Sequence, residues 1–372
     1  MDRRTFLAAS SASLLASRLC QGEKDDGKAK NVSWLQEIQT PPAKLPGNVP
    51  KLGDLLTDAS GNKIDSLDGW KTRRDELRKW WLEFLGPMPA ERQVAPKLKV
   101  LEENRPEGVV RQLVQYEVEP GILTQAYLLK PAKQEGKAPG VAAFHSTVNE
   151  SIRQPAGVEG VPEKAFGLRF ARQGRVVFCP RNYLWPDNTH IAAQAEAEKF
   201  QKRMKMYPSN KTQSKGMAKM LYDSLVAVDI LASLPEVDAS RIGAVGHSLG
   251  AKETLYLAAF DERVKVTVSS EGGIGTKFSN WDALWYLGDS IKKPDFKHEH
   301  HELLALAAPR PFLLIGGESA DGDRGWPFIE QALRAYQLYG NPLRVGQYNH
   351  KKGHAVPPEA EQRIEEWFAA YL

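Results

Sequence analysis

Between residues 138 and 348 the chain alternates short apolar runs with segments long enough to form a helix, and this alternation restricts the fold more than any other feature. The runs are APGVAAFH (138 to 145), GRVVFCP (174 to 180), RIGAVGH (241 to 247), RVKVTVSS (263 to 270), PFLLIGG (311 to 317) and PLRVGQY (342 to 348). A run with no polar face suits a strand covered from above and below, and parallel neighbours need crossovers of helical length between them. The expected class is α/β, with a mostly parallel central sheet and helices on both faces. In such sheets chemistry collects just beyond the carboxyl ends of the strands. Ahead of the alternation, VVRQLVQYEV and ILTQAYLLKP are separated by Pro120 and Gly121 and predict an antiparallel meander. Before the run at 241, Met217, Leu221, Leu225, Val228 and Leu231 form one apolar stripe of a crossover helix that Pro235 ends.

The 372 residues, 42% of them hydrophobic, can fill one large core. The expected division is a leader over 1–20, a Pro-rich arm over 21–62, and one domain over 63–372 that contains a lid-like insertion at about 182–215. The domain should begin with an amphipathic helix carrying Leu77, Trp80, Trp81, Phe84 and Leu85, stopped by Gly86 and Pro87. The leader pairs Arg3 and Arg4 with a short run of Phe, Leu, Ala and Ser, too brief to span a bilayer. It reads as a twin-arginine export signal, which implies a periplasmic or extracellular protein; lipid anchoring at Cys20 is a weaker alternative. The only other cysteine is Cys179, so no disulfide framework is expected. A formal charge of +4, from 50 basic and 46 acidic residues, does not point to nucleic acid, and the basic stretch QKRMKMYPSNKTQSK is expected to form a solvated face, with binding of an acidic glycan as the alternative. No segment after the leader is apolar enough to span a membrane.

Nucleophilic chemistry on such a sheet needs a hydroxyl, a base, a carboxylate to orient the base, and N–H donors for the oxyanion. GHSLG fits G-x-S-x-G, with an apolar run before it and the helix-forming AKETLYLAAF after it, which makes Ser248 the candidate nucleophile. Small residues at Gly246 and Gly250 allow strand and helix to approach around a strained turn. The base is expected after the last strand, in NHKKGHAVPP; His354 is preferred to His350, which is expected to be packed or on the surface. Asp321 in GGESADGD is the first choice for the orienting acid and Glu271 in SSEGG the second, followed by Asp323 and Glu318. The oxyanion donors are expected to be the N–H groups of Leu249, which opens the helix, and Thr147 in FHSTVN, with Ser146 next.

With these elements in place, the strand order, GHSLG, the acid loop and the final GH resemble the α/β-hydrolase superfamily from about Val109 to Leu372. AKETLYLAAFDERVKVTVSSEGG, WDALWYLG and HELLALAAPRPFLLIGG resemble bacterial dienelactone-hydrolase-like and acetyl-xylan-esterase-like proteins and, more distantly, glucuronoyl esterases of carbohydrate esterase family 15. In the glucuronoyl esterases a lysine four residues after the nucleophile contacts the uronate, and some members place the acid at the end of the following strand. Lys252 and Glu271 occupy those positions. Where those enzymes carry an arginine directly after the nucleophile, this chain has Leu249.

The implied activity is hydrolysis of carboxylic esters on carbohydrates or small molecules, acetyl or uronoyl, without metal or cofactor. A serine peptidase on the same fold and a non-catalytic carbohydrate-binding protein are the alternatives; the region before Val109 is too short for a substrate-filtering propeller. Lys252, His145 and Trp281 are the candidate substrate-binding residues, with Trp285 and Tyr286 as further sugar-stacking faces; the competing readings are a structural hydrogen bond for His145, burial of the aromatics beneath the lid, and pairing of Lys252 with a neighbouring acid on the helix surface. HEHHE (298 to 302) lacks metalloprotease spacing and is expected to open a helix, with His301 bonded near the site. The oligomeric state is not legible in the sequence.

Overall fold

A computed structural model describes residues 31–372 except 48, 59, 93, 94 and 207–212. The predicted leader, with Cys20, lies outside the described residues. In chain order the elements are α1 (Leu67–Leu85), β1 (Lys99–Asn104), β2 (Val109–Glu119), β3 (Ile122–Pro131), β4 (Ala138–Phe144), α2 (Phe166–Arg172), β5 (Val176–Pro180), α3 (Ala193–Lys205), α4 (Gly216–Ser233), β6 (Val237–His247), α5 (Leu249–Phe260), β7 (Val264–Ser270), α6 (His301–Leu306), β8 (Phe312–Gly316), α7 (Trp326–Gln337), β9 (Val345–Asn349) and α8 (Pro358–Tyr371). One nine-stranded sheet has the order β1-β2-β3-β5-β4-β6-β7-β8-β9. β1, β2, β3 and β5 pair antiparallel, and everything from β5 through β4 to β9 is parallel.

Each predicted run became a strand because its alternate residues feed two separate apolar layers. On β8, Phe312 and Leu314 join the layer formed with α1, α4, α5, α6 and α7, whereas Leu313 and Ile315 join the layer formed with α2 and α8. Each fully buried Leu, Ile or Phe of this kind contributes about 1.5–3 kcal/mol. The sequence reading missed β1. All six of its residues are exposed, so it has no apolar pattern and is specified by pairing with β2 alone.

Helix α1 starts at Ser66, whose hydroxyl accepts from the Gly69 N–H at 3.2 Å, and ends at Gly86 with φ of 82°. Trp81 Nε1 donates to Glu302 Oε2 at 2.7 Å, docking the helix on α6. From residue 31 the arm lies along β9 and α8. Trp34 stacks on Trp367 with centroids 5.7 Å apart, and Ile38 fills the space that Gly346 leaves open. No described helix is long and apolar enough to cross a membrane.

The parallel register places five chemically equipped loops along one edge. Phe144 pairs with Gly246, His247 with Ser270, Ser270 with Ile315, and Gly316 with Asn349. The loops that follow these residues hold Thr147, Ser248, Glu271, Asp321 and His354.

Candidate active site

At the end of β6 the backbone turns sharply into α5, and Ser248 takes φ 59° and ψ −114°. A left-handed φ is costly for a residue with a Cβ, so the surroundings must enforce it. They do so by contact. A Cβ on Gly246 would lie 2.2 Å from the Gly250 carbonyl carbon, and one on Gly250 would lie 2.5 Å from the Phe144 oxygen. The Ser248 N–H donates to the Ser270 carbonyl at 2.8 Å, tying the turn to β7. Ser248 and His354 line one cavity of about 100 Å³, together with Thr147, Leu249, Lys252 and Glu271.

The carboxylate on His354 belongs to Glu271. Glu271 Oε2 lies 3.2 Å from His354 Nδ1, and its side chain is fully buried. A carboxylate oxygen only accepts, so in this contact His354 Nδ1–H is the donor and Glu271 Oε2 the acceptor. Two backbone donors fix the same carboxylate: the Gly317 N–H bonds Oε1 and the Ala320 N–H bonds Oε2 at 2.6 Å.

Asp321, the first choice from sequence, is turned away from the imidazole. Its Oδ2 accepts from the Gly273 N–H at 2.8 Å and its Oδ1 from the Ile274 N–H at 2.6 Å. Burial raises its carboxyl to about 6. Glu318 and Asp323 are also committed elsewhere: Glu318 Oε1 accepts from the Asp323 N–H at 2.9 Å, and Asp323 Oδ1 from Asn349 Nδ2 at 2.7 Å. Of the two places expected for His350, packed or on the surface, it takes the packed one, 8% exposed, with Nδ1 accepting from the Lys352 N–H at 3.1 Å.

Leu249 is the first residue of α5 and Thr147 stands opposite on the cavity wall. Among the described residues neither N–H has an acceptor within the protein, whereas the Ser146 N–H is directed at Gln154 Oε1.

Lys252 is 4% exposed and aims its ammonium into the cavity wall. Nζ donates to the Gly272 carbonyl at 2.5 Å and sits 4.0 Å from the Trp281 ring centroid and 5.1 Å from that of Tyr286. Desolvation lowers it to about 7.

Two of the candidate substrate-binding residues take the structural alternative instead. Trp281 is 1% exposed and does not line the cavity; its Nε1 donates to the Gly273 carbonyl at 2.7 Å and its ring carries Lys252. The open aromatic wall is Trp285, with Tyr286 beside it. His145 is 1% exposed, and both of its nitrogens are used. Nδ1 donates to the Ser146 carbonyl at 2.8 Å and Nε2 accepts from the Asn182 N–H at 3.1 Å, tying the loop after β4 to the loop after β5. Burial lowers it to about 4, so it stays neutral.

In HEHHE it is His300, not His301, that approaches the site, with Nδ1 2.9 Å from the Ile274 carbonyl and Nε2 3.0 Å from the Tyr256 hydroxyl. His301 reaches the Gly53 carbonyl at 3.0 Å instead. From the insertion at 182–215, Leu184, Ile191 and Ala193 contribute cavity wall. Sequence reasoning passed over Ser279 and Asn280 on the opposite wall, which have no pattern to mark them. It also passed over His247, whose ring packs 4.6 Å from that of His354 and whose place directly before Ser248 was a usable signal.

Comparison with known proteins gives a consistent picture. The profile of the Dienelactone hydrolase family matches residues 124–293. The putative hydrolase YtaP of Bacillus subtilis (strain 168) is 30% identical over 257 residues, covering 66% of this chain and 80% of that protein. The 4-O-methyl-glucuronoyl methylesterase of Phanerochaete carnosa is 23% identical over 358 residues, covering 83% of this chain and 78% of that protein. Among solved structures, a glucuronoyl esterase from Solibacter usitatus superposes with a TM-score of 0.69 at 18% identity, covering 88% of this chain and 99% of the other.

Proposed function

This chain belongs to the dienelactone hydrolase family and hydrolyses carboxylic esters, and from that premise we propose a serine esterase acting on esters carried by carbohydrates, with Ser248, His354 and Glu271 as its triad. The observation that carries the reading is the 3.2 Å contact between His354 Nδ1 and Glu271 Oε2 in the cavity that Ser248 shares. In the proposed cycle Ser248 Oγ attacks the ester carbonyl while His354 Nε2 takes its proton. The Leu249 and Thr147 N–H groups receive the developing oxyanion, the former at the positive end of the α5 dipole. His354 then protonates the departing alcohol. Water, activated by the same imidazole, releases the acid from the acyl-enzyme and restores Ser248.

The proposed acyl group is acetyl or uronoyl. The likeness to a glucuronoyl methylesterase and the ammonium of Lys252 on the cavity wall favour the uronoyl ester. The twin-arginine leader supports export to the periplasm or beyond, where such polysaccharide esters are encountered. The test is hydrolysis of a methyl glucuronate ester beside an aryl acetate by the purified protein and by Ser248→Ala. The reading expects both activities in the wild type and neither in the variant; undiminished turnover by Ser248→Ala overturns it.

A further inference from the structure

The turn that carries Glu271 is strained. Glu271 has φ of 54° and Gly273 has φ of 78°, both in the left-handed region. A carboxylate on such a turn keeps its aim only if other groups hold the backbone. Among the described residues four side chains do so. Lys252 binds the Gly272 carbonyl, Trp281 the Gly273 carbonyl and His300 the Ile274 carbonyl, while Asp321 accepts from the N–H groups of Gly273 and Ile274.

The arrangement is reciprocal. Glu271, from the loop after β7, accepts from Gly317 and Ala320 in the loop after β8; Asp321, from the loop after β8, accepts from Gly273 and Ile274 in the loop after β7. Each carboxylate closes on the other's backbone, and only Glu271 continues to the imidazole. Asp321 is 0% exposed and does not line the cavity, so it does not meet substrate. A fully buried carboxyl is expensive unless its oxygens are engaged, and here the two backbone donors engage both.

We propose that Asp321 is a positioning residue, which clasps the turn from Glu271 to Ile274 so that the Glu271 carboxylate stays on His354 Nδ1. The inference rests on the reading of Glu271 as the orienting acid. It gives the first-ranked carboxylate of the sequence a role distinct from that of a second triad acid.

Asp321→Asn preserves volume but keeps one acceptor oxygen and directs an NH2 group at the other N–H, so the turn is released on one side. Steady-state kinetics on an aryl acetate would compare the wild type, Asp321→Asn, Glu271→Gln, the double variant and Ser248→Ala. Displacement of the acid by a fraction of an ångström to 1 Å should lower kcat about 10- to 100-fold in Asp321→Asn with KM within about twofold. The double variant should be no slower than Glu271→Gln alone, since both changes disable one unit. The low-field proton NMR spectrum supplies a readout independent of turnover. A His354 Nδ1 proton resonance, assigned by its loss in His354→Ala, should be present in the wild type and shifted or lost in Asp321→Asn. Asp321→Ser, which relieves the buried charge and retains one acceptor, takes its place in every arm if the amide variant does not fold. Wild-type kcat together with an unmoved resonance overturns the proposal, as does a double variant slowed by the product of the two single effects. Residual full activity of Ser248→Ala overturns the serine-esterase reading instead, while the resonance still decides whether Asp321 holds the Glu271–His354 contact.

Discussion

The turn bearing Ser248 and the turn bearing Glu271 end the paired strands β6 and β7, and each holds a non-glycine residue at positive φ, 59° and 54°. They are stabilised differently. The Ser248 turn is enforced largely by residues within two positions of it, Gly246 and Gly250, which pack onto each other and onto Phe144. The Glu271 turn is held mainly by side chains from other elements, Lys252 on α5, His300 beside α6 and Asp321 after β8, 20 to 48 residues away in sequence, with Trp281 the nearer exception at 8. A local device is written in the spacing of a motif, whereas a non-local one exists only once the sheet has assembled.

The comparison can be broken most strongly at its two reactive ends. Ser248→Ala should lower kcat by about 10⁴-fold or more, because the proposed triad would act as a unit. Glu271→Gln should lower it by about 10³-fold, because an amide no longer fixes the tautomer of His354; rates on an aryl acetate check both. If Asp321→Asn exceeds Glu271→Gln in effect, the assignment of roles to the two acids is inverted.

Substitutions of small residues sharpen the contrast. Gly250→Ala brings a Cβ within 2.5 Å of the Phe144 oxygen, a rigid backbone atom, and should lower stability by about 1–3 kcal/mol. Gly272→Ala meets the Ala251 Cβ at 2.8 Å. It should act more on kcat than on the unfolding midpoint, because it displaces the acid while leaving the elbow intact. Thermal melts paired with kinetics separate the two outcomes.

The smallest expected effect concerns Lys252. Its ordinary value of 10.5 is lowered to about 7 by burial, so it is charged below pH 7 and increasingly neutral above. An anionic product at the cavity should therefore bind more tightly at pH 6 than at pH 8, by about tenfold if only the ammonium attracts it. Glucuronate inhibition constants measured across that range check the sign, and Lys252→Met should flatten the dependence.

Much of the parallel sheet was legible because each of its strands is a two-faced apolar run, and the strand-to-helix turn at Ser248 was legible because G-x-S-x-G lay between a strand and a helix. His354 followed from its place after the last strand. The acid was not decidable in the same way. Glu271 and Asp321 both end up on the edge of the sheet that carries the Ser248 cavity, and only the direction of each side chain, set by N–H groups in the opposite loop, separates them. For Trp281 and His145 the choice between a substrate-facing and a structural role was open for a related reason. A tryptophan or histidine near a strand end looks the same in sequence whether it faces the cavity or is consumed beneath it, as these two are by Lys252 and the Gly273 carbonyl and by the Ser146 and Asn182 backbone. Strand β1 escaped because pairing with β2, and not burial, specifies it.

The most direct test of the account is to trap the acyl-enzyme. The wild type and Glu271→Gln would be quenched in acid during turnover of an aryl acetate, digested, and the peptide spanning Arg241 to Lys252 weighed. The account predicts an acetyl group on Ser248 in both proteins, absent from Ser248→Ala. An acetyl group on another residue, or turnover with no covalent adduct under conditions where deacylation is slow, would contradict it.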